Sequence, residues 1–472
     1  MMRADGPDML SLHRRRDLLA AGSAGLGLSL LTPALGGLVL AGAGASGCTL
    51  GPGAARGGAG AGPIDLARLI AACRAAYIYG VPVLEMARAR ARTIGPQANR
   101  LRHVRALADA SSRRVTTPNN DTLYSLAWLD LRGGEVELSY PAAGQRYMSL
   151  AFLDMYSNNF LVLGPRQTRG EAGRVRLAGP GAPPAPGVVQ SPTPWVWFQA
   201  RTLVASPQDL EAAHRVQDGF AITAAVAPAP PAASADMSAR GELAAILDLL
   251  SAEAPARPGE ARLRAGWARA GLTPAALAAG SDDVMASVEA GVAQARRDIA
   301  ARLTQARPFN GWIYPEASLG DFGAEYLYRA SIAIWGLGAL PVREAAYYRA
   351  VDVDGSKSFS PGRDYVLRFP PGGDPPAQAF WSLSLYEVLD DGRLFFSNNP
   401  LNRYAIGDRT PGLARAADGS LTIWIGSQDP GPERRTNWLP APQSPFALIL
   451  RAYRPARDLI TGRYRLPPVS RP

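Results

Sequence analysis

Thr116-Thr117-Pro118-Asn119-Asn120-Asp121-Thr122-Leu123-Tyr124-Ser125 is a polar knot joined directly to an apolar strand. Pro118 disfavours the α region at Thr117, so the chain is expected to enter extended. Asn119, Asn120 and Asp121 are residue types that bend a backbone and bond neighbouring N–H groups. Leu123 to Leu131 then reads as a strand. It places Tyr124, Leu126 and Trp128 on one face and Leu123, Ala127 and Leu129 on the other. Side-chain amides and a carboxylate therefore sit at the mouth of a buried strand.

Working outward, strand signals continue to about residue 205. Gly133-Gly134 turns the chain, and Val136, Leu138 and Tyr140 alternate with Glu135, Glu137 and Ser139. Met148 to Leu153 is a further strand, closed by a second polar knot, Asp154-Met155-Tyr156-Ser157-Asn158-Asn159. Residues 171–194 carry Gly and Pro at loop density, and Trp195 to Arg201 is a strand again. Short strands at this spacing argue for an antiparallel sandwich. Upstream, Asp65 is a plausible N-cap for a helix with Leu66, Leu69, Ile70, Cys73 and Tyr77 on one face. Gly80 and Pro82 are expected to interrupt that helix. Residues 225–235 are an Ala/Pro-rich linker. Residues 238–307 are helical and Ala-rich, and a second helix over 323–337 puts Tyr326, Ala330, Ala333 and Leu337 on one face, with Arg329 elsewhere. Beyond Pro341, strands return at Tyr365–Phe369, Ala379–Glu387, Leu421–Ile425 and Phe446–Arg451.

Composition narrows the chemistry. The chain has 472 residues, 47% of them apolar, which predicts two domains with real cores. The net charge of +10 is carried by dispersed arginines, with Lys357 as the only lysine. No basic run with interleaved aromatics follows the first residues, so nucleic acid is disfavoured as a partner. The two cysteines, Cys48 and Cys73, cannot build a disulfide framework or a zinc cluster. The histidines are His13, His103 and His214, which excludes a His-rich metal site. No cofactor motif is visible, and no metal site is assigned. Asp352-Val353-Asp354-Gly355 lacks the further oxygen ligands of a calcium loop and reads as a turn.

The first residues carry targeting signals. Arg14-Arg15-Arg16-Asp17-Leu18-Leu19 resembles a twin-arginine export signal and precedes an apolar run. Ala45-Ser46-Gly47-Cys48 resembles a lipobox whose cysteine would be lipidated, although Ala45 stands where leucine is usual. Residues 1–48 therefore read as a signal, 49–63 as a Gly/Ala-rich tether, and the location as periplasm or cell envelope, with three alternatives for the leader: lipid attachment through Cys48, cleavage after a small residue near Ala43 or Ala45, or, ranked last, a retained transmembrane helix.

Several motifs in one order complete a pattern. Pro118-Asn119-Asn120-Asp121-Thr122-Leu123-Tyr124, Asp352-Val353-Asp354-Gly355, Ala379-Phe380-Trp381-Ser382-Leu383, Asn402-Arg403-Tyr404 and Asn437-Trp438-Leu439-Pro440-Ala441-Pro442 resemble the paired bacterial domains of unknown function 1254 and 1214. The resemblance runs from about 65 to 470. It implies a mainly β protein with helical insertions: an N-terminal immunoglobulin-like β-sandwich over 64–224, an Ala-rich helical connector over 225–340, and a C-terminal jelly-roll-like sandwich over 341–472. It agrees with export and implies no reaction.

Three functions follow as expectations. In the first, Asp121 and Asp154 are an acid/base pair acting on a small polar or glycosidic substrate, in a pocket shared with Arg403 or Trp438. In the second, the protein is a non-catalytic module for a carbohydrate or small ligand, held by Asn119, Asn120, Tyr124, Arg403, Tyr404, Asn437 and Trp438. In the third, it is a structural envelope lipoprotein, with oligomerisation open. Each residue also has a structural reading: turn and cap for Asp121, core for Tyr124 and Trp128, carbonyl ligand for Arg403, sandwich plug for Trp438.

Overall fold

A computed structural model describes residues 65–472, apart from 114, 226 and 231–235. The twin-arginine motif, Cys48 and the tether lie outside the described residues. Two β-sandwiches and a helical layer make up the rest.

The N-terminal sandwich holds strands β1 (Arg102–Val104), β2 (Thr122–Asp130), β3 (Val136–Tyr140), β4 (Met148–Leu153), β5 (Asn159–Leu163), β6 (Gly173–Ala178), β7 (Val188–Gln190), β8 (Trp195–Leu203) and β9 (Ala221–Thr223). Its two sheets have the orders β1-β2-β8-β4-β5 and β7-β6-β3-β9. Their facing sides bury Ala127, Leu129, Leu138, Leu150, Phe152, Leu177 and Phe198. The period-2 pattern of β2 places Tyr124, Leu126 and Trp128 on the opposite face, as expected. Two strands, β6 and β7, form inside the Gly/Pro-rich stretch read as loop, and they pair parallel. Their turn residues lie between the strands, not within them.

The C-terminal sandwich holds β10 (Trp312–Ile313), β11 (Ala345–Ala350), β12 (Tyr365–Phe369), β13 (Ala377–Val388), β14 (Leu394–Phe395), β15 (Ala405–Gly407), β16 (Leu421–Gly426), β17 (Trp438–Pro440) and β18 (Phe446–Pro455). One sheet runs β10-β11-β18-β13-β14, with β15 also on β13, and the other runs β12-β16-β17. Tyr348, Leu367, Trp381, Leu383, Ile423 and Leu450 share the core between them. The outer face of the larger sheet carries Phe380, Ser382, Ser384, Tyr386, Arg451 and Tyr453.

The helices are α1 (Leu66–Thr93), α2 (Pro165–Thr168), α3 (Leu210–Asp218), α4 (Ala239–Ala252), α5 (Ala261–Arg269), α6 (Pro274–Ala279), α7 (Asp282–Thr304), α8 (Tyr326–Trp335) and α9 (Arg457–Ile460). Asp65 caps α1 by accepting from the Arg68 N–H at 3.2 Å. The expected break at Gly80 and Pro82 does not occur: α1 runs through both. Proline removes one helical hydrogen bond, and here tertiary burial outweighs that loss. The most apolar window of α1 is long enough to cross a membrane, yet 78% of it is buried within the fold. Gly80 is present for close approach, since a Cβ there would lie 2.2 Å from Cγ2 of Ile246 on α4. Cys73 is a buried core residue beside Gly291 of α7. Helices α1, α4 and α7 share one core with the outer face of the first sandwich, through Trp128, Ala151, Leu153 and Trp195. Arg329 lies on the buried side of α8, not off it as expected.

Candidate functional site

Asp121 sits where the outer faces of the two sandwiches meet. Its N–H donates to Oδ1 of Asn119 at 2.7 Å, the Asx turn the sequence predicts. Its carboxylate accepts from Ser382 Oγ at 2.7 Å and from Arg409 Nη2 at 3.0 Å. Arg409 lies over the Phe380 ring, 4.1 Å from its centroid. Both carboxylate oxygens are thus engaged by the C-terminal sandwich. Asn119 Nδ2 donates to Tyr124 hydroxyl at 3.2 Å and to Tyr453 hydroxyl at 3.0 Å. Asn120 donates to the Ala108 carbonyl instead.

The layer continues along β8. Arg201 Nε donates to the Tyr124 hydroxyl at 3.4 Å, and Nη2 donates to the Gly338 carbonyl at 2.7 Å. On the facing sheet, Arg451 donates to Ser384 Oγ at 2.7 Å and to the Thr117 carbonyl at 3.1 Å. Tyr386 hydroxyl donates to the Pro118 carbonyl at 2.8 Å. These bonds explain a departure from expectation. Thr117 is not extended but left-handed, with φ 52°. Its N–H donates to the Leu394 carbonyl at 2.8 Å while its own carbonyl binds Arg451, so partners far along the chain hold a strained conformation. Burial raises the Tyr124 hydroxyl pKa, but Arg201, Asn119 and Arg451 outweigh it and hold it below the usual phenol value. Tyr453 moves the other way, through burial and the Asp121 charge.

Asp154 belongs to a different cluster. Its Oδ1 accepts from the N–H groups of Tyr156 and Asn158, each at 2.9 Å. Burial pushes this carboxyl up to about 6, against the pull of the Asn158 N–H, Arg329 and Arg257. Arg329 is fully buried, with its guanidinium 5.1–5.2 Å from the ring centroids of Tyr79, Tyr156 and Tyr326. Glu260 accepts from the hydroxyls of Tyr79 at 2.6 Å and Tyr326 at 3.2 Å. Arg264 donates to both the Tyr79 and Tyr156 hydroxyls. Tyr79 and Tyr326 also line a surface cleft of about 390 Å³, with Tyr328, Leu263, Arg74 and Arg302. Glu325 is the sole carboxylate among its lining residues.

Arg403, Asn437 and Trp438 form a third group. Arg403 Nη1 donates to the carbonyls of Arg435, Thr436 and Trp438, at 3.1, 2.9 and 2.8 Å. A shallow groove beside it is lined by Leu401, Asp429 and Arg435. Asn437 ties down the Ala414 and Thr422 carbonyls, and Trp438 Nε1 donates to the Gly426 carbonyl at 2.8 Å. Tyr404 packs on Phe396, which stacks on Tyr386. Trp128 stacks on Trp197 at 5.4 Å.

Asn119, Asp121 and Tyr124 therefore come together with each other, while Asp154 bonds within its own turn and Arg403 bonds carbonyls at the start of β17 and in the loop before it. Sequence reasoning missed Arg409, Arg451 and Tyr453 at the sandwich contact, and Tyr79, Glu260 and Arg264 at the cleft. Arg201 and Arg451 did carry a signal, as charges at alternate positions of otherwise apolar strands. Among the described residues, no cluster of three or more His, Cys, Asp or Glu side chains is placed to hold a metal ion.

Comparison with known proteins finds relatives without an assigned activity. The family described as "Protein of unknown function (DUF1254)" matches residues 98–224, and "Protein of unknown function (DUF1214)" matches 344–457. No curated protein matches the chain. Among solved structures, the VPA0106 protein from Vibrio parahaemolyticus superposes with a TM-score of 0.62 at 21% identity. The match covers 86% of this chain and 100% of that one, and it shows a shared fold. An uncharacterised protein from Burkholderia cenocepacia aligns at 13% identity over 83% of this chain and 93% of its own, with a TM-score of 0.42. The chain is thus a protein of paired DUF1254 and DUF1214 domains, in that order from the N-terminus.

Proposed function

We propose that the protein is a non-catalytic binding module for a small ring-bearing ligand, taken up in the cleft beside α1 and α8. The observation that carries this reading is the cleft wall: half-buried Tyr326 provides its ring surface and half-buried Leu263 and Leu327 its apolar surface, with Tyr79, Tyr328 and Ile78 buried behind them. A sugar or aromatic ring gains from stacking on such a wall. The acid/base reading has less support. Asp121 is committed to Ser382 and Arg409, and Asp154 bonds inside its own turn. Export, as read from the twin-arginine-like leader, fits a ligand-binding protein of the envelope.

Ala324 is exposed at the cleft rim, so Ala324→Trp fills the cleft without entering the core. Thermal-shift screening of monosaccharides, phenols and aromatic carboxylates is expected to yield compounds that raise Tm in the parent protein only. If no class shifts Tm, or if the shifts persist in Ala324→Trp, the reading fails.

A further inference from the structure

Resting on the cleft reading above, we propose that the ligand carries a carboxylate, which pairs with the Arg329 guanidinium directly behind Tyr79 and Tyr326. Arg329 is 0% exposed. Its Nη2 donates to the Tyr79 carbonyl at 3.2 Å, while Nε and Nη1 meet no acceptor. A buried donor without an acceptor costs about 1–3 kcal/mol, more when charged, so a guanidinium kept in this condition calls for an acceptor. The neighbouring carboxylates do not supply it. Asp154 gives its oxygens to the Tyr156 and Asn158 N–H groups and to the Asn158 amide, and Glu260 gives its oxygens to two tyrosine hydroxyls and the Arg257 N–H.

The charges around Arg329 point the same way. Arg257, Arg264 and Arg329 face Asp154 and Glu260, three guanidiniums to two carboxylates. Arg257 Nη1, Arg264 Nε and Trp267 Nε1 are further buried donors without an acceptor. One monoanion balances this excess. A dianion would meet repulsion from Asp154 and Glu260, which favours a carboxylate over a phosphate.

Access is short. Tyr79 and Tyr326 line the cleft and touch the guanidinium, so a single ring separates the open cleft from the charge. Tyr326 is the first residue of α8 and is half-buried. Rotation of its ring, which releases its hydroxyl from Glu260, opens the path to Arg329, and the ligand's own ring then takes the vacated place beside Tyr79 and Leu263.

The test is isothermal titration of the full chain with benzoate, with its neutral counterpart benzamide, and with inorganic phosphate. Benzoate is expected to bind about tenfold or more tightly than benzamide, in line with a charge-assisted hydrogen bond, and phosphate to bind weakly. Arg329→Lys, whose shorter point charge cannot reproduce the planar fork, is expected to weaken that preference severalfold, and Tyr326→Ala to retain it. The parent-protein comparison of benzoate with benzamide decides the matter even if Arg329→Lys does not fold. Equal binding of the two, lost together in Ala324→Trp, overturns the carboxylate and leaves the cleft reading standing. Tighter binding of phosphate than benzoate, or failure of both ring probes, also overturns the carboxylate; the cleft reading is then judged by its own screen.

Discussion

Asp154 holds its proton to a pH of about 6, where an ordinary Asp releases it at 3.8. Burial is the cause, and Asp408 is pushed up to about 6 for the same reason. For both, the folded state binds the proton more tightly than the unfolded state does. The contribution of these two groups is therefore most favourable below pH 4, falls as pH rises from 4 to 6, and is a full cost above that. The cost for Asp154 is on the order of 3 kcal/mol. Asn at 154 keeps an Oδ1 acceptor for the Tyr156 and Asn158 N–H groups but does not titrate. Asp154→Asn is thus expected to remove up to about 3 kcal/mol of the fall in stability between pH 4 and 7, with Asp408 and Glu344, also raised by burial, keeping their own shares. Urea melts at pH 4, 5, 6 and 7 read this directly. An unchanged slope would place Asp154 in a wetter site than its burial indicates.

At the scale of elements, α1 is decided by its neighbours. Pro82 and Gly80 are poor helix interior residues, yet α1 is continuous because α4, α7 and the outer face of β2, β4 and β8 bury it. Gly80 admits Ile246 to the α1 backbone. Gly80→Ala normally stabilises a helix by up to about 1 kcal/mol. Here the added Cβ meets Ile246 Cγ2 at 2.2 Å, and overpacking is expected to cost about 1–3 kcal/mol instead. Ile246→Ala removes that methyl, so the double variant should be more stable than the sum of its singles by about 1 kcal/mol or more. Additive denaturation energies would show that α4 simply shifts aside. The strands tell the same story at their edges: β6 and β7 form within a Gly/Pro-rich stretch because β3 offers unpaired backbone N–H and C=O groups to β6, and β6 in turn to β7.

For the whole molecule, the contact between the two sandwiches is unusual in being polar on both faces. Asp121, Asn119, Tyr124 and Arg201 face Ser382, Arg409, Arg451 and Tyr453, beside an aromatic contact of Tyr147 with Phe380 and Tyr453. Such a layer couples its two sides through the charge-assisted bonds that cross it, the Asp121–Arg409 pair above all. The parent protein is expected to unfold in one calorimetric transition. Asp121→Asn strips the Arg409 guanidinium of its nearer anion, leaving Asp408 at 3.9 Å, and is expected to cost about 1–2 kcal/mol, discounted because Arg409 is partly exposed. It should also separate the two sandwiches into resolved transitions. Two transitions already present in the parent protein would show that the layer does not couple them. Much of this architecture was legible in the chain itself. The alternation in β2, β3 and β13 marked their two faces, the Asn119–Asp121 turn followed from residue chemistry, and Cys73 lay on a helical apolar stripe. These are local properties, fixed by side-chain period and by bonds within a few residues. What tertiary structure alone decided is everything that depends on partners far along the chain. Thr117 is left-handed because Leu394 and Arg451 hold it, α1 is unbroken because α4 and α7 cover it, and Asp121 is an ion-paired hinge of the interface because Arg409 arrives 288 residues later. Arg329 becomes a buried, under-bonded cation only once Tyr79, Tyr156 and Tyr326 close around it, since no local pattern records which distant rings will exclude water from a charge.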